Sequence, residues 1–377
     1  MNSSKIWLSS PHMGGGEQKY INEAMDSNWV APIGPNVNGF ENDLEKFFGK
    51  NVSVASLSSG TAAIHLALIL LGVKPKDEVI CQSMTFSASA NPIIYLGATP
   101  IFIDSELETW NMCPETLEIA IKDRIKKGVK PKAIIAVHLY GMPYKVDEIR
   151  AIANKYGIPI LEDSAEALGS SYKNKKCGTL GDISILSFNG NKIITTSGGG
   201  ALVTKTKELK ERAIFLASQA RDEAPHYQHS EIGYNYRMSN ICAGIGRGQM
   251  EVLENHITKR REMHHFYSNI FSNNEAIQVF SEPNSNYYSN YWLTAILINP
   301  SHGNKKSRED VRIMLEEVNI ESRPLWKPMH VQPVFSSMPY YGEQVSEKLF
   351  NTGLCLPSGS NLTEEEKQRI KKVLSCI

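Results

Sequence analysis

The sequence has no excess of charge of either sign. Its 40 lysines and arginines are matched by 40 aspartates and glutamates, so the formal net charge at pH 7 is zero. Proteins that bind nucleic acids or membrane surfaces usually carry a basic excess, and the composition therefore argues against both kinds of partner. Long apolar runs are also missing. The longest, IHLALILLGV at residues 64–73, is too short to cross a bilayer, and residues 1–13 show no apolar core of a signal peptide.

Cysteine is scarce and scattered. The six cysteines are Cys81, Cys113, Cys177, Cys242, Cys355 and Cys376. They form no C-x-x-C pair, and most lie in apolar surroundings, which is typical of small core residues in a reducing compartment. We therefore predict a cytoplasmic protein. We also predict no metal site, because the H-x-x-H pair at 226–229 has no cysteine or carboxylate motif at ligand spacing.

After about residue 50, short apolar runs alternate with amphipathic stretches. The runs EVICQSM, TPIFID, KAIIAVHLY and IPILED are rich in isoleucine and valine and are bounded by proline, glycine or a charge, as buried strands are. TAAIHLALILLG is apolar on nearly all sides and predicts a buried helix, and VDEIRAIANKYG predicts a second helix that ends at Gly157. This alternation predicts an α/β fold with a mostly parallel sheet and helices on both faces.

The remainder of the chain predicts a second unit. DISILSF and GALVTK are expected to pair as two strands, and a long helical region covers roughly residues 240–271. Beyond it we expect a strand within 292–298, a helix at 308–318, and a last helix that starts at Thr363 with a capping box to Glu366. We expect a large domain at residues 1–250 and a smaller C-terminal α+β domain at residues 251–377.

One lysine stands between the two paired strands. Lys192 lies in SILSFNGNKIITTSGGGALVTK, residues 184–205, where small polar residues and glycines surround it. A partly buried lysine can act as an amine nucleophile or carry a proton. The alternative is a lysine in a surface loop, which is the usual environment of this residue.

Two further features fall at strand ends or helix starts. SSGT, residues 58–61, directly precedes the buried helix; the backbone there can bind a phosphate, or Ser59 or Thr61 can simply cap the helix. Glu162 and Asp163 close an apolar strand, where a buried carboxylate needs a cationic partner; the alternative is a helix N-cap by Asp163 or Ser164.

Taken together, the three features suit pyridoxal phosphate. Ligands of open α/β sheets bind at the carboxyl ends of the strands, so the phosphate cradle, the carboxylate and the lysine are expected to lie close together. The cradle would hold the phosphate, Asp163 would pair with the protonated ring nitrogen, and Lys192 would form the Schiff base with the aldehyde. The small residues around Lys192 would leave room for a flat ring.

The motifs in this chain resemble those of the DegT/DnrJ/EryC1/StrS family of sugar aminotransferases, over nearly its whole length. The matching segments are SLSSGTAAIHLAL, TFSASANPIIYLGATPIFID, VHLYGMP, ILEDSAEALGS, GDISILSFNGNKIITTSGGGALVT, GYNYRMSNICAGIG and RPLWKPMH. The resemblance implies fold type I of the pyridoxal phosphate enzymes and a homodimer with active sites at the interface. It also implies that pyridoxamine phosphate carries the amino group between two half-reactions.

The resemblance also assigns cofactor roles. It makes Lys192 the catalytic Schiff-base lysine and Asp163 the partner of the ring nitrogen. It places Gly60, Thr61 and Ser187 at the phosphate, Asn235 in the site of the second subunit, Phe86 on the ring face and Glu166 beside the ring hydroxyl. Many relatives have Gln or His at the position of Glu166, and GEGG where this chain has SGGG at residues 197–200.

Cationic and aromatic residues are the candidates for binding the substrate, because a nucleotide-linked sugar carries a diphosphate. For the diphosphate they are Arg237, Arg323, Lys327 and His330, and for stacking on sugar or base they are Trp29 and Trp326. Structural roles are an open alternative for Trp29, Trp326 and Arg237.

The opening segment PHMGGGEQKYINEAMDSNWVAPIGPNVNGFENDL resembles enzymes that aminate UDP-4-keto-6-deoxy-GlcNAc on the way to bacillosamine-type sugars. It implies transfer of an amino group from L-glutamate to C4 of that sugar by a ping-pong mechanism. The alternatives are another nucleotide keto sugar, either a dTDP-3-keto or a GDP-4-keto-6-deoxy sugar, or a non-catalytic regulator that binds pyridoxal phosphate.

A dinucleotide-binding dehydrogenase is the rival from a different class. AGIGRGQ at residues 243–249 has the spacing G-x-G-x-G, not G-x-G-x-x-G, and no strand precedes it. In a helical context these glycines indicate close helix packing, within the chain or at a subunit interface.

Overall fold

The computed structural model describes residues 4–299 and 306–377. The strands are β1 (Ser53–Leu57), β2 (Glu78–Gln82), β3 (Thr99–Ile103), β4 (Ala133–Val137), β5 (Ile160–Asp163), β6 (Ser171–Tyr172), β7 (Lys175–Lys176), β8 (Ile183–Ser187), β9 (Gly200–Thr204), β10 (Ile277–Val279), β11 (Tyr287–Tyr288), β12 (Thr294–Ile298), β13 (Arg323–Pro324), β14 (Tyr340–Tyr341) and β15 (Gly353–Leu356). The α-helices are α1 (Glu17–Asp26), α2 (Pro35–Phe48), α3 (Gly60–Leu70), α4 (Asn91–Tyr95), α5 (Pro114–Lys126), α6 (Val146–Tyr156), α7 (Lys207–Ala217), α8 (Asn240–Met250), α9 (Leu253–Phe271), α10 (Arg308–Glu317), α11 (Val345–Thr352) and α12 (Glu364–Leu374).

An eight-stranded sheet forms the centre of the molecule. Its strand order is β1-β9-β8-β5-β4-β2-β3-β14. Strands β8, β5, β4, β2, β3 and β14 pair in parallel, and β9 runs antiparallel to both of its neighbours, β1 and β8. The predicted α/β fold with a mostly parallel sheet is therefore confirmed, as is the pairing of DISILSF with GALVTK.

Both faces of the central strands of this sheet are covered, which explains why those strands are largely apolar. Successive residues of a strand point to opposite faces. In β4, Ile134 and Ala136 belong to one hydrophobic core, whereas Ile135 and Val137 belong to the other, which also contains α3. A strand buried on both faces is expected to be continuously apolar and not alternating.

Helix boundaries follow the local signals closely. Ser59 caps α3 by accepting a hydrogen bond from the N–H of Ala62 at 3.0 Å. Gly157 ends α6 with a φ of 58°, a left-handed conformation in which glycine has no steric penalty. The capping box between Thr363 and Glu366 at the start of α12 is present. The long helical region divides into α8 and α9.

The glycines of AGIGRGQ lie inside α8 and allow close packing within the chain. A Cβ at Gly248 would lie 2.5 Å from the backbone nitrogen of Glu17 in α1, and one at Gly246 would lie 2.8 Å from the ring of Phe40 in α2. A helix interior in contact with two other helices offers no nucleotide-binding turn, which removes the structural basis for the dehydrogenase alternative.

The C-terminal part has its own antiparallel sheet, in the order β10-β12-β15-β13. Each of the two parts contributes a segment to the other. From the C-terminal part, β14 pairs with β3 of the large sheet; from the N-terminal part, Ile6 forms a bridge with Ile320. The division into 1–250 and 251–377 remains a proposal. Of the helices in the described ranges, none has the length and apolarity that a membrane span requires.

Candidate active site

A cavity of about 310 Å³ lies at the carboxyl ends of the parallel strands. The last residues of β4, β5 and β8 line it, namely Val137, Asp163 and Ser187. The first turn of α3 and Lys192 complete the wall. We call this the smaller cavity. The structure thus brings together the three features that the sequence placed at strand ends.

Lys192 enters the smaller cavity from the loop between β8 and β9. A turn closed by its backbone N–H and the carbonyl of Asn189, at 3.0 Å, sets its direction. Its side chain is 11% exposed, and Nζ lies 3.4 Å from Oε1 of Glu166. Nζ also lies 4.0 Å from the ring centroid of Trp292. The amine is therefore held by an acid and an aromatic face, and it is not a mobile surface group.

Asp163 is held by hydrogen bonds at the end of β5. Its Oδ2 accepts from Oγ of Ser89 at 2.6 Å, and its Oδ1 accepts from the N–H of Ala165 at 3.1 Å. The Ser89 hydroxyl is itself within 2.8 Å of Oγ1 of Thr85. No α-helix starts here within the described chain, so the N-cap alternative for Asp163 falls away. A fixed carboxylate at the cavity wall suits a protonated ring nitrogen.

Glu162, the neighbour of Asp163, points away from the cavity into a buried network. Its carboxylate accepts hydrogen bonds from the Oγ of Ser184 and the N–H groups of Gly178, Leu180 and Gly181, and pairs with Nε2 of His138 at 2.7 Å. Burial alone would raise its pKa, but the His138 contact and the hydrogen-bond donors outweigh burial and lower the pKa of Glu162 to about 2.

The start of α3 has the shape of an anion cradle. Ser59 caps the helix, so the capping alternative is correct for that residue, while Gly60 and Thr61 face the smaller cavity together with Ser187. A Cβ at Gly60 would lie 3.0 Å from Cβ of Ser187, and one at Gly200 would lie 2.4 Å from the nitrogen of Gly60. Backbone N–H groups at a helix N-terminus, with no bulk above them, suit a phosphate.

Glu166 and Phe86 complete the smaller cavity. The N–H of Tyr140 donates to Oε2 of Glu166 at 2.7 Å. Burial raises the pKa of Glu166, and the Lys192 charge offsets this only in part. Phe86 is 52% exposed at the mouth, with its ring centroid 5.4 Å from that of Trp326. Cradle, carboxylate, amine and ring-sized space together fit pyridoxal phosphate; the individual roles remain predictions.

A larger cavity of about 850 Å³ adjoins the smaller one. The two share five lining residues, Thr85, Phe86, Asn191, Trp292 and Trp326. Arg323 and Lys327 line the larger cavity, as does Glu321, which pairs with Arg323 at 2.8 Å. Three of the six predicted substrate residues therefore lie at this cavity, namely Arg323, Trp326 and Lys327.

The other three predicted substrate residues, which are Arg237, His330 and Trp29, do not line either cavity in the described part of the chain. Arg237 donates to Oε1 of Glu41 and to the carbonyl of Ser56, so its partners are structural. His330 lies between Oγ of Ser83 at 2.7 Å and Oε1 of Glu347 at 3.1 Å.

Trp29 and Asn235 contact other parts of the chain through their backbones, Trp29 by accepting from Nδ2 of Asn240 and Asn235 by a bridge with Ser218. Trp29 is 45% exposed and Asn235 is exposed, so the structure offers no contact of either with the cavities. The entry of Asn235 into a partner's site remains a prediction.

Several lining residues were missed from the sequence. Thr85 and Ser89 lie within the quoted segment TFSASANPIIYLGATPIFID but carried no role, and Trp292 was noted only as the start of a strand-like stretch. No local signal distinguishes Trp292 from an ordinary core tryptophan, because its side-chain contacts at the cavity are with Asn191 and Lys192, about a hundred positions away.

Comparisons with known proteins identify the family. Residues 11–375 match the profile of the DegT/DnrJ/EryC1/StrS aminotransferase family. The chain is 52% identical over 374 residues to EpsN of Bacillus subtilis (strain 168), whose name gives it provisionally as a pyridoxal phosphate-dependent aminotransferase; the match covers 98% of this chain and 95% of EpsN.

Two further proteins extend the comparison. The GDP-perosamine synthase of Escherichia coli O157:H7 is 41% identical over 363 residues, covering 96% of this chain and 95% of that protein. The crystal structure of a DegT DnrJ EryC1 StrS aminotransferase from Brucella abortus superimposes with a TM-score of 0.87 at 29% identity, covering 95% of this chain and 94% of that one.

Proposed function

Because the chain belongs to the DegT/DnrJ/EryC1/StrS aminotransferase family, we propose a specific reaction for it, the transfer of the amino group of L-glutamate to C4 of UDP-4-keto-6-deoxy-GlcNAc. Membership makes the chain a pyridoxal phosphate-dependent sugar aminotransferase. The donor, the nucleotide and the position of amination form the proposal. The main observation in its support is that Lys192, Asp163 and the start of α3 line one cavity, and that a larger cavity adjoins it.

The residues of the smaller cavity have distinct tasks. Gly60, Thr61 and Ser187 would hold the phosphate, and Asp163 would hold the ring nitrogen. Pyridoxal phosphate, when bound, supplies an electron sink for the carbon that loses its proton. Lys192 would hold the cofactor and then, as a free amine, carry the proton at the α-carbon of the donor.

Acid and aromatic groups hold the amine of Lys192 in place for proton transfer. Glu166, at 3.4 Å, can accept a hydrogen bond from the ammonium form. Because the side chain is 11% exposed, little water competes for the proton that Lys192 carries. The same amine would serve both half-reactions, which predicts ping-pong kinetics.

The larger cavity would take the nucleotide-linked sugar. Arg323 and Lys327 supply positive charge for a diphosphate, and Trp326 offers a flat face at the junction of the two cavities. Arg237, His330 and Trp29 are left out of this assignment because their contacts in the chain lie elsewhere.

A GDP-linked 4-keto-6-deoxy sugar is the second candidate substrate. The observation that favours it is the 41% identity to a GDP-perosamine synthase. The resemblance of the opening segment favours the UDP sugar. Both candidates are aminated at C4, and they differ in the nucleotide and in the group at C2.

Absorption spectroscopy tests the proposal. L-glutamate should bleach the visible band of the lysine-bound cofactor, and UDP-4-keto-6-deoxy-GlcNAc should restore it. Restoration by the GDP sugar alone would transfer the assignment to the second candidate. Bleaching without restoration by any keto sugar would favour a different substrate class. Lys192→Ala is the control, and it should show no such band.

A homodimer that shares its active sites is part of the proposal. If Asn235 acts in the partner's site, mixing Lys192→Ala with Asn235→Ala leaves each mixed dimer with one intact site. Random exchange of subunits should then restore about a quarter of wild-type activity, because about half of the dimers are mixed and each has one intact site of two. Absence of restoration in confirmed mixed dimers would place Asn235 in the site of its own subunit, and an active Asn235→Ala homodimer would place it outside the site. We also place the reaction in the cytoplasm, because the scattered cysteines are typical of a reducing compartment.

A further inference from the structure

Trp292 contacts the Lys192 loop in two ways. Its indole Nε1–H donates to the carbonyl oxygen of Asn191 at 2.7 Å. The Nζ of Lys192 lies 4.0 Å from its ring centroid. Trp292 is 1% exposed, so both contacts are shielded from water. One side chain from the C-terminal part thus contacts the peptide that precedes Lys192 and the amine at its end.

A second donor binds the carbonyl oxygen of Asn191. The Oγ of Ser9, near the N-terminus, donates to the oxygen of Asn191 at 2.8 Å. The buried guanidinium of Arg260 joins the two donors, since Nη1 donates to the carbonyl of Trp292 and Nη2 to Oγ of Ser9. The peptide before Lys192 is therefore fixed by segments from both ends of the chain.

The backbone of Trp292 is tied to Glu166 as well. Its N–H donates to Oδ1 of Asn290 at 2.8 Å, and Nδ2 of Asn290 donates to the carbonyl of Glu166 at 3.0 Å. Tyr291 between them has a φ of 46°, a left-handed conformation that is uncommon for a side chain of this size. This sharp turn lets residues 290–292 hold both partners of the Lys192–Glu166 pair.

On the basis of the function proposed above, we propose that Trp292 is a positioning residue for the amine of Lys192. A lysine side chain has a flexible four-carbon stem, and only a fixed amine can move a proton efficiently between two carbon atoms. The indole fixes the stem at its base through Asn191. The ring face attracts the positively charged end.

The contact also places Nζ among groups that interact with a positive charge. The ring face of Trp292 attracts a positive charge, Glu166 lies 3.4 Å from Nζ, and Asp163 is the other acidic residue of the cavity wall. Loss of the ring removes one of these contacts, so the visible band of the cofactor-loaded variant should titrate at a lower pH than that of the wild type.

Three variants test this assignment. Trp292→Phe keeps a ring face and loses the N–H donor, and Trp292→Leu loses both. Trp110→Phe is the matched control, because Trp110 is also 1% exposed but stacks on Phe280, with ring centroids 3.8 Å apart. Each variant is loaded with pyridoxal phosphate and reduced with borohydride, and the labelled lysine is identified by mass spectrometry.

The first half-reaction with L-glutamate, measured in a single turnover, is the main readout. Trp292→Phe should slow it about tenfold and Trp292→Leu about a hundredfold. The midpoint of the visible band should move to lower pH in Trp292→Leu. Trp110→Phe should leave the rate and the midpoint unchanged while it lowers the melting temperature.

The outcomes separate this inference from the proposed function. If borohydride labels Lys192 in the wild type and both Trp292 variants keep its rate and midpoint, the inference is wrong and the proposed function stands. A loss confined to the half-reaction with the keto sugar would make Trp292 a substrate contact and overturn the inference. If Lys192 is not labelled, both fail. Should Trp292→Leu not fold, the rate of Trp292→Phe alone decides.

Discussion

Nζ of Lys192 lies 3.4 Å from Oε1 of Glu166, and both side chains are nearly removed from water. Burial raises the pKa of Glu166 above its usual range, and the neighbouring ammonium counteracts this only in part. The ionisation of one acid thus governs how strongly Lys192 is held. This relationship predicts that catalysis depends on pH through Glu166.

Glu166→Gln should remove that dependence. In the wild type, activity should fall as the pH falls through the raised pKa of Glu166, since the neutral acid no longer attracts the ammonium. This acid limb should lie above pH 4.5, the ordinary value for a glutamate. In the variant we expect kcat to be about tenfold lower near neutral pH and the acid limb to be absent. The measurement is the pH profile of kcat. Exposed Glu208→Gln is the control, and an unchanged limb in Glu166→Gln would contradict the assignment.

Asp163→Asn should abolish most activity while the fold is retained. The charge that would face the ring nitrogen is lost, and electrostatic contacts of this kind are worth about a hundred- to a thousandfold in rate. Ser89→Ala removes only a donor to Oδ2 of Asp163, at 2.6 Å, so the expected loss is about tenfold. Steady-state kcat at saturating cofactor is the readout. Ser105→Ala serves as the control, because its buried hydroxyl has no hydrogen-bond partner among the residues that the structure describes. Equal losses in Asp163→Asn and Ser89→Ala would argue against a charge effect.

Glu162→Gln should lower stability without a direct effect on chemistry. The folded pKa of about 2 lies below the ordinary value of 4.5, so the ionised carboxylate stabilises the folded state at neutral pH. This corresponds to about 3 kcal/mol. The stabilisation is present above pH 4.5 and is lost as the pH falls towards 2. Urea denaturation should therefore show a large difference between wild type and variant at pH 7 and a smaller one at pH 3. A difference that does not change with pH would refute the ionic contribution.

Arg323→Ala and Lys327→Ala should raise the KM for the sugar nucleotide about tenfold each, and they should leave the half-reaction with L-glutamate unchanged. Both residues line only the larger cavity, and each contributes one charge to the proposed diphosphate contact.

Arg237→Ala is the contrasting variant. Its partner Glu41 is 4% exposed and keeps a second cation, Lys210, at 3.2 Å, so losing the arginine should cost only about 2 kcal/mol of stability. A raised KM in correctly folded Arg237→Ala would return that residue to the substrate site.

Much of the fold was predictable because its signals are local. The central strands of the large sheet are largely apolar since both faces are covered, and the caps at Ser59, Gly157 and Thr363 lie within a few residues of the helix ends they define. The meeting of Lys192 and Asp163 followed from a general rule, that parallel strands present their carboxyl ends at one edge.

The sequence by itself determined the α/β class, the six strands β2, β3, β4, β5, β8 and β9 of the large sheet, and the residues at the strand ends that line the smaller cavity. Tertiary structure alone decided that Arg237 pairs with Glu41, that His330 is held by Ser83 and Glu347, and that Trp292 contacts Lys192. The physical reason is range. Helix caps and apolar runs act over a few residues, whereas the partner of a charged or aromatic side chain is set by packing between distant segments, for example those of Ser83 and His330, which are 247 positions apart.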